Sequence, residues 1–451
     1  MEERSLQRSV GLSGAAFILI GYVVGGSIFI LPGTLAASAG PGLFISYLIA
    51  AVLALFTCFV TAQIGSAIPT SGANYIAISR IISPFWGFMF IWTLIVTVGV
   101  GVPLIAYGFA EYLAFFIPGT PPMPVAVLVI LFFVGINILG IQLASRIQAV
   151  MVLEFLVALF IFGIGGAVHS DANLLTPLFP MGIGAVLIMA IPAYFSYSGF
   201  FIIAEIGEEI KNPSRNIPRA LLISFFVVLC VYTLIPLAVT GVLPWGTLGE
   251  TKGAVAVASE VFFPKWLANI IALSALFAIA TSINGIVVAH ARDIFAAARD
   301  TVLPLPLSKV NKTFKTPFAA ILLVGAISFI GVLVGATIRN YAIMTVLGFM
   351  IIQSLSGLAV FNLPKKLPER YAQAKFKLKG FALPFFSIGL TAVSAVFLIV
   401  GVIQSLASTL IYLGLVALGA ALYFLRKNAL EKQGMKLKDI LTKDLRGVHN
   451  E

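Results

Sequence analysis

Two short stretches of this chain place glycines and serines where long apolar runs should be most regular. In GYVVGGSIFILPG, residues 21–33, Gly25, Gly26 and Ser27 interrupt the first run, and Pro32 and Gly33 follow one turn later. In YFSYSGFF, residues 194–201, Ser196, Ser198 and Gly199 follow Pro192. A helix unwound at such a point frees backbone N–H groups at the start of one half and C=O groups at the end of the other. The N–H end suits a carboxylate and the C=O end an ammonium. An α-amino acid needs both. No Arg or Lys stands in the middle of a run, so the amides around Gly26 and Ser27 are expected to meet the carboxylate. Phe29 and Phe200, beside the two breaks, are candidate aromatic gates.

Glu154 raises different chemistry. It lies beyond Arg146 by about 12 Å of helix, inside an apolar run. A carboxylate at that depth must be protonated, paired, facing water or bound to a cation. Glu205, Glu208 and Glu209 stand near Lys211 and Arg215, where salt bridges closing a gate compete with plain solvation. Glu111 reads as interfacial, and His290 faces either packing or a cavity.

Enzyme chemistry has little support. Cys58 and Cys230 fall inside apolar runs, and His169, His290 and His449 are isolated from them and from one another, which removes metal-ligand spacing. No GxxxxGK loop is present. The Asp residues fall in loops or at helix ends, and no Ser and His pair suits nucleophilic catalysis. No cofactor, metal or catalytic residue is expected.

The elements that must position these residues follow from composition. Of 451 residues, 60% are hydrophobic and 10% charged, and the mean hydropathy is +1.08. No soluble core could absorb so much apolar surface. A membrane-spanning helix needs about 20 mostly apolar residues. Twelve such runs are expected, at 12–37, 42–66, 86–117, 123–141, 147–168, 182–207, 217–241, 266–291, 318–337, 340–361, 383–404 and 407–426. The two breaks then occupy matching places, in the first and sixth spans, if spans one to ten form two repeats of five. That is the pattern of an inverted-repeat transporter with discontinuous helices. The expected organisation is an N-terminal segment 1–11, a first repeat over 12–168, a second over 182–361, two further helices over 383–426 and a basic tail over 427–451.

All but Lys252, Lys265 and Arg339 of the 28 Lys and Arg residues fall in the N-terminus, the tail and alternate loops. The positive-inside rule therefore expects both termini in the cytoplasm, in a multi-pass protein of the cell membrane. The net charge of +11 is explained by loops facing anionic lipid, without a nucleic-acid partner. The polar start MEERSLQRSV runs straight into a long span, so no cleavable leader is expected.

Four stretches, in order, resemble signatures of the amino acid–polyamine–organocation permeases. They are GYVVGGSIFILPG, IPTSGANYIAISRIISPFWGF, SYSGFFIIAEIGEEIKNPSRNIPRA and NGIVVAHARDIFAAARDTVLPLPLSKVN. The resemblance implies an all-α membrane protein of the LeuT type, with twelve transmembrane helices of which helices 1 and 6 are discontinuous. The order Gly25, Gly26, Ser27 departs from the usual Gly-Ser-Gly, and Gln63 stands where relatives often carry an acid. Proton-coupled relatives often have a lysine at the place of Glu154, and Thr281 and Ser282 match hydroxyl positions facing an ion site, so the resemblance makes these three a coupling group. Relatives that take arginine or diamines often carry an acid at the place of Phe201, which implies a neutral substrate here.

The expected function is secondary active transport of a neutral amino acid by alternating access, coupled to protons. An amino acid or polyamine exchanger and a Na⁺-coupled symporter are the alternatives within transport. An amino acid sensor on the same fold is the alternative outside it.

Overall fold

A computed structural model describes residues 6–251, 253–335, 338–437, 439 and 441; within these, the side chains of a few helical residues, among them Ser198, lie outside the description. Backbone amides in hydrocarbon must be satisfied within their own segment, and the chain meets this with helices. In order they are α1 (Leu12–Val24), α2 (Ser27–Ala39), α3 (Leu43–Ala67), α4 (Ala73–Ile81), α5 (Pro84–Phe116), α6 (Pro122–Leu139), α7 (Ile141–Val168) and α8 (Ile183–Phe195). A 3₁₀ segment, Ser198–Glu205, precedes α9 (Pro213–Val242), α10 (Trp245–Leu248), α11 (Ala254–Phe262), α12 (Lys265–Arg299) and α13 (Phe318–Val334). Last come α14 (Ile338–Lys366), α15 (Pro368–Gln373), α16 (Ala382–Gln404) and α17 (Leu406–Lys432). Among the described residues the only extended pairings are isolated bridges, Val10 with Ile210 and Ser71 with Ile206.

The protein is a multi-pass membrane protein, with ten runs among the described residues long and apolar enough to cross a bilayer. The expected spans 12–37 and 42–66 fall within one 56-residue run, Leu12–Ala67, because only a short 3₁₀ turn at Gly40–Gly42 separates α2 from α3. The expected span 318–337 corresponds to the shorter α13, of 17 residues, which stops at Gly335 with φ 64°. Residues 336 and 337 lie outside the described part. Helix α7 shows the membrane signature in one element. Val150, Leu153, Val157, Ile161 and Ile164 form an exposed apolar stripe, while Gln148, Met151, Phe155 and Phe162 turn inward. Small residues let helices approach closely; a Cβ on Gly163 would lie 3.0 Å from Leu234 of α9, and one on Gly65 2.6 Å from Ile217.

The first interruption is tighter than a general unwinding. Helix α1 stops at Gly25, whose φ of 40° and ψ of −154° no residue with a side chain adopts comfortably. Only Gly25 and Gly26 separate α1 from α2, and Ser27 opens α2. The second interruption changes helix type. Helix α8 ends at Phe195, and the chain continues as 3₁₀ through Glu205 instead of resuming an α-helix. Helix α1 lies against α7, α9 and α12, and the 3₁₀ segment lies against α1, α3, α4, α9 and α12.

Candidate functional site

A cavity of about 760 Å³ joins the two interruptions. Gly25, Gly26, Ser27, Ser196 and Gly199 line it, together with Tyr22 of α1, Ile279, Ser282 and His290 of α12, and Phe349 of α14. It runs outward past Tyr112 to Glu111 and Glu250, which are exposed, so the cavity reaches the surface there. The structure thus brings together all of the expected substrate-binding residues whose side chains it describes; the side chain of Ser198 lies outside the description.

Close packing against α12 explains why both glycines of the first break are needed. A Cβ on Gly26 would lie 2.7 Å from Ile279 Cγ1, and one on Gly25 would collide with Ser282 Oγ. Tyr22 sits between the second break and α12: a Cβ on Gly199 would strike its ring, and one on Gly285 would lie 2.7 Å from it.

The carbonyls released at the end of α1 are not idle. Thr281 Oγ1 donates to Gly21 O at 2.9 Å, and Ser282 Oγ to Tyr22 O at 3.3 Å. The Tyr232 hydroxyl of α9 lies 2.7 Å from Val23 O and 3.2 Å from Val24 O. It also lies 3.2 Å from Ser196 O and 3.1 Å from Ser27 Oγ. Tyr232 therefore joins both interruptions, a role that nothing in the motifs signals, because a lone tyrosine in an apolar run reads as packing. Gly21 O also accepts from Gly25 N at 3.3 Å and Val24 O from Ser27 Oγ at 3.2 Å; a carbonyl oxygen has two lone pairs, so Tyr22 O and Val23 O are the two that can still receive an ammonium.

Two expectations are corrected. Phe29 and Phe200 are buried and do not line the cavity. Phe29 turns into the core, and its carbonyl accepts from Tyr112; Phe200 packs toward Phe225, with ring centroids 6.1 Å apart. The aromatic rings on the cavity are those of Tyr22, Tyr112 and Phe349. Phe201 lies one layer behind, with its centroid 5.6 Å from Phe349 and 6.3 Å from His290. The second correction concerns Glu154, which the structure does not bring to Thr281 and Ser282. Its Oε1 accepts from Ser274 Oγ at 2.7 Å, and Ser274 precedes Thr281 by two helical turns, about 10 Å. The side chain at the junction of α1, α7 and α12 is Gln148 instead. Its Nε2 donates to Ile18 O at 3.4 Å and Thr281 O at 3.2 Å. Its Oε1 accepts from Asn284, which in turn accepts from Asn137, both at 2.8 Å. This junction is neutral.

The end of the bundle opposite the cavity mouth is sealed. Ser9 N and Val10 N both donate to Glu209 O at 3.0 Å, and Lys211 N donates to Val10 O at 2.9 Å. Arg292 grips Glu209 through Nε at 2.7 Å and Nη2 at 3.0 Å, with both side chains buried. Arg299 pairs with Glu208 at 3.0 Å, and Arg80 reaches Asp300 at 2.8 Å through Nη2. Burial works against the Arg80 charge, but Asp300 outweighs it and holds the guanidinium pKa above its ordinary value. Glu208 and Glu209 thus pair with arginines of α12, not with neighbouring Lys211 and Arg215, while Glu205 bonds Asn74 of α4. Sequence proximity could not reveal partners some eighty residues away. Gln63 also finds its place here: its Oε1 accepts from Leu378 N at 2.7 Å, tying α3 to the stretch of Lys375, Lys377 and Lys379. Asp293, expected at a helix end, is instead buried inside α12.

A helical membrane bundle with a cavity between two interrupted segments, open at one end and sealed at the other, has the form of a transporter. A family model described as amino acid permease matches residues 10–422, and the chain belongs to that family, whose members are transporters and not enzymes. It is 28% identical over 388 residues to the branched-chain amino acid permease BcaP of Bacillus subtilis, covering 81% of this chain and 83% of the relative. It is 28% identical over 407 residues to the methylthioribose transporter of the same organism, covering 86% of each. To its serine/threonine exchanger SteT it is 26% identical over 415 residues, covering 89% of this chain and 92% of the relative.

Proposed function

We propose that this amino acid permease carries a neutral amino acid across the cell membrane by alternating access, driven by protons. The observation that carries the reading is the cavity, shared by both interruptions, open past Glu111 and Glu250 and closed behind by Arg292 and Glu209. The substrate carboxylate meets the first amides of α2, at Gly26 and Ser27, and the ammonium meets the carbonyls at the end of α1. Helix starts lack internal acceptors and helix ends lack internal donors, which supports that assignment. Ser196 and Gly199 complete the cradle.

The chain crosses the membrane twelve times in this reading. The run Leu12–Ala67 crosses twice and α13 once, and residues 12–168 and 182–361 form two inverted repeats followed by two further helices. Both termini are cytoplasmic, so the sealed end faces the cytoplasm and the cavity opens outward. The charge distribution along the sequence supports this orientation.

Phe201 behind Phe349 and His290 gives the inner wall no acid to pair a distal ammonium, which favours a neutral side chain. The relatives named for branched-chain amino acids and for serine and threonine fit that choice. Protons are favoured over Na⁺ because the amide N–H group of Gln148 already occupies the Ile18 and Thr281 carbonyls at the junction of α1, α7 and α12, so oxygens that a cation there would need face a donor instead. Purified protein should be stabilised against unfolding by its substrate, since a ligand that binds only the folded state raises apparent stability. A screen of the common amino acids and polyamines tests this. Stabilisation by alanine, serine, leucine or phenylalanine is expected, and stabilisation by arginine or putrescine alone would refute the neutral assignment and turn attention to Glu111 and Glu250.

A further inference from the structure

Between the cavity floor and the sealed end lies a cluster that neither the substrate cradle nor the gate uses. Glu205 ends the 3₁₀ segment that follows the second break, and Asp293 and His290 lie one turn apart on α12; all three are buried. We propose that Glu205, Asp293 and His290 form the proton-binding site of this transporter, with one proton shared between the two carboxyl groups. The inference rests on the proton-coupled reading above and assigns that proton to residues other than Glu154.

The geometry favours a proton. The carboxyl groups of Glu205 and Asp293 are buried next to one another, and two ionised carboxylates side by side repel and have no hydrogen to put between them. Asp293 Oδ1 is buried and meets no donor group from the protein. His290 Nδ1 lies 3.4 Å from Asp293 Oδ2, too far for a strong bond. Asn74 of α4 turns its amide N–H groups to Glu205: Nδ2 bonds Oε1, and the backbone N lies 3.4 Å from Oε2. Its carbonyl is turned the other way, to Ser356 Oγ at 3.1 Å. Donors facing the cluster favour a carboxyl group and disfavour a metal cation. Among the described residues, no group of His, Cys, Asp and Glu has the arrangement of a metal site.

Among the described residues, no lysine or arginine pairs with Glu205 or Asp293. Arg292, on the same helix, is occupied by Glu209 and by Val288 O at 2.9 Å. Arg299 is occupied by Glu208, and Arg80 by Asp300. The other cations on elements packed against the 3₁₀ segment are the exposed Arg215 and Arg219 of α9 and Lys265 at the far end of α12. The remaining titratable groups of these elements are Tyr22, Tyr47, Cys58, Tyr75, Tyr232 and Cys230, none of which carries positive charge.

The position suits coupling. His290 lines the cavity, so a proton arriving from cavity water reaches the carboxyl pair beside it. Glu208 and Glu209 follow Glu205 by one turn and form the gate. With the proton bound, the segment between break and gate carries one charge fewer through the low-dielectric interior as the gate opens. Water entering from the other side then accepts the proton, and the pair returns to its starting charge.

Proteoliposomes loaded with whichever of alanine, serine, leucine or phenylalanine the wild type exchanges give the test. Asp293→Asn and Glu205→Gln, which imitate the protonated groups, should lose accumulation driven by a pH gradient while retaining counterflow. Glu154→Gln should retain both. Infrared difference spectra on addition of the same amino acid should show a protonated-carboxyl band that is missing from Asp293→Asn, a readout that survives even if a variant transports poorly. The proposal is overturned if both cluster variants accumulate like wild type, or if the band is unchanged in them. Loss of accumulation in Glu154→Gln alone overturns it and leaves proton coupling standing. A wild type that exchanges but ignores the pH gradient removes the coupling reading and this proposal together.

Discussion

Replacing Glu209 with glutamine should open the sealed end of the bundle. Arg292 makes two hydrogen bonds to the Glu209 carboxylate, at 2.7 and 3.0 Å, and neither side chain has meaningful contact with water. Removing one partner of a buried ion pair typically costs about 3–5 kcal/mol, because the surviving charge stays desolvated. The glutamine oxygen can still accept one of the two bonds, and Val288 O still accepts from Nη1, so the lower end, ~3 kcal/mol, applies. That cost falls only on the state in which this end is closed. The balance between closed and open should therefore shift roughly a hundredfold toward open. The assay is alkylation of a single cysteine placed at Ile206, which is buried at this end and bridges to Ser71, in a chain with Cys58 and Cys230 replaced by alanine. Labelling by a membrane-impermeant maleimide from that side should rise sharply in Glu209→Gln. The double variant Glu209→Gln with Arg292→Gln, which leaves no unpaired charge, should bring it back toward the parent. Unchanged labelling in a folded Glu209→Gln protein would refute the reasoning.

Other outcomes follow from single side chains. Tyr232→Phe removes a hydroxyl that touches Val23 O, Val24 O, Ser196 O and Ser27 Oγ; its single hydrogen serves Val23 O best, at 2.7 Å, and leaving that buried carbonyl unpaired should cost about 1–3 kcal/mol of stability, read as a fall in unfolding midpoint, with weakened substrate binding by calorimetry. Gly26→Leu should abolish binding, but its side chain must also displace Ile279. Gly26→Ala combined with Ile279→Ala separates the causes: binding that stays lost points to the amides, and binding that returns points to packing alone. Phe201→Glu should admit arginine or putrescine in a competition assay, and failure to do so would remove Phe201 from specificity.

Much of this was legible in the sequence, for physical reasons. A bilayer forces long apolar runs, so α5, α7, α9 and α12 declare themselves. Glycines in the middle of a run are conspicuous for the same reason, and Gly25, Gly26 and Gly199 do line the cavity. What was not legible depends on rotation and reach. Phe29 and Phe200 are adjacent to the breaks along the chain, yet their side chains turn into the core, because adjacency does not fix the face of a helix. Glu154 and Gln148 are on one helix six residues apart, and only the packing of α1 against α12 decides that Gln148 takes the junction. The partners of Glu205, Glu208 and Glu209 all lie far away in sequence. Tyr232 carries no motif at all.

The most direct measurement is counterflow in sealed proteoliposomes preloaded with an unlabelled neutral amino acid and given a trace of the same amino acid labelled outside. A carrier working by alternating access takes up label transiently above its equilibrium level, and Ser27 and Gly26, at the start of α2, make that uptake sensitive to substitution. Saturable overshoot with serine, alanine, leucine or phenylalanine is the predicted result. Tight binding of the same amino acid by the purified protein, with no label crossing the membrane, would contradict transport and make the protein a sensor.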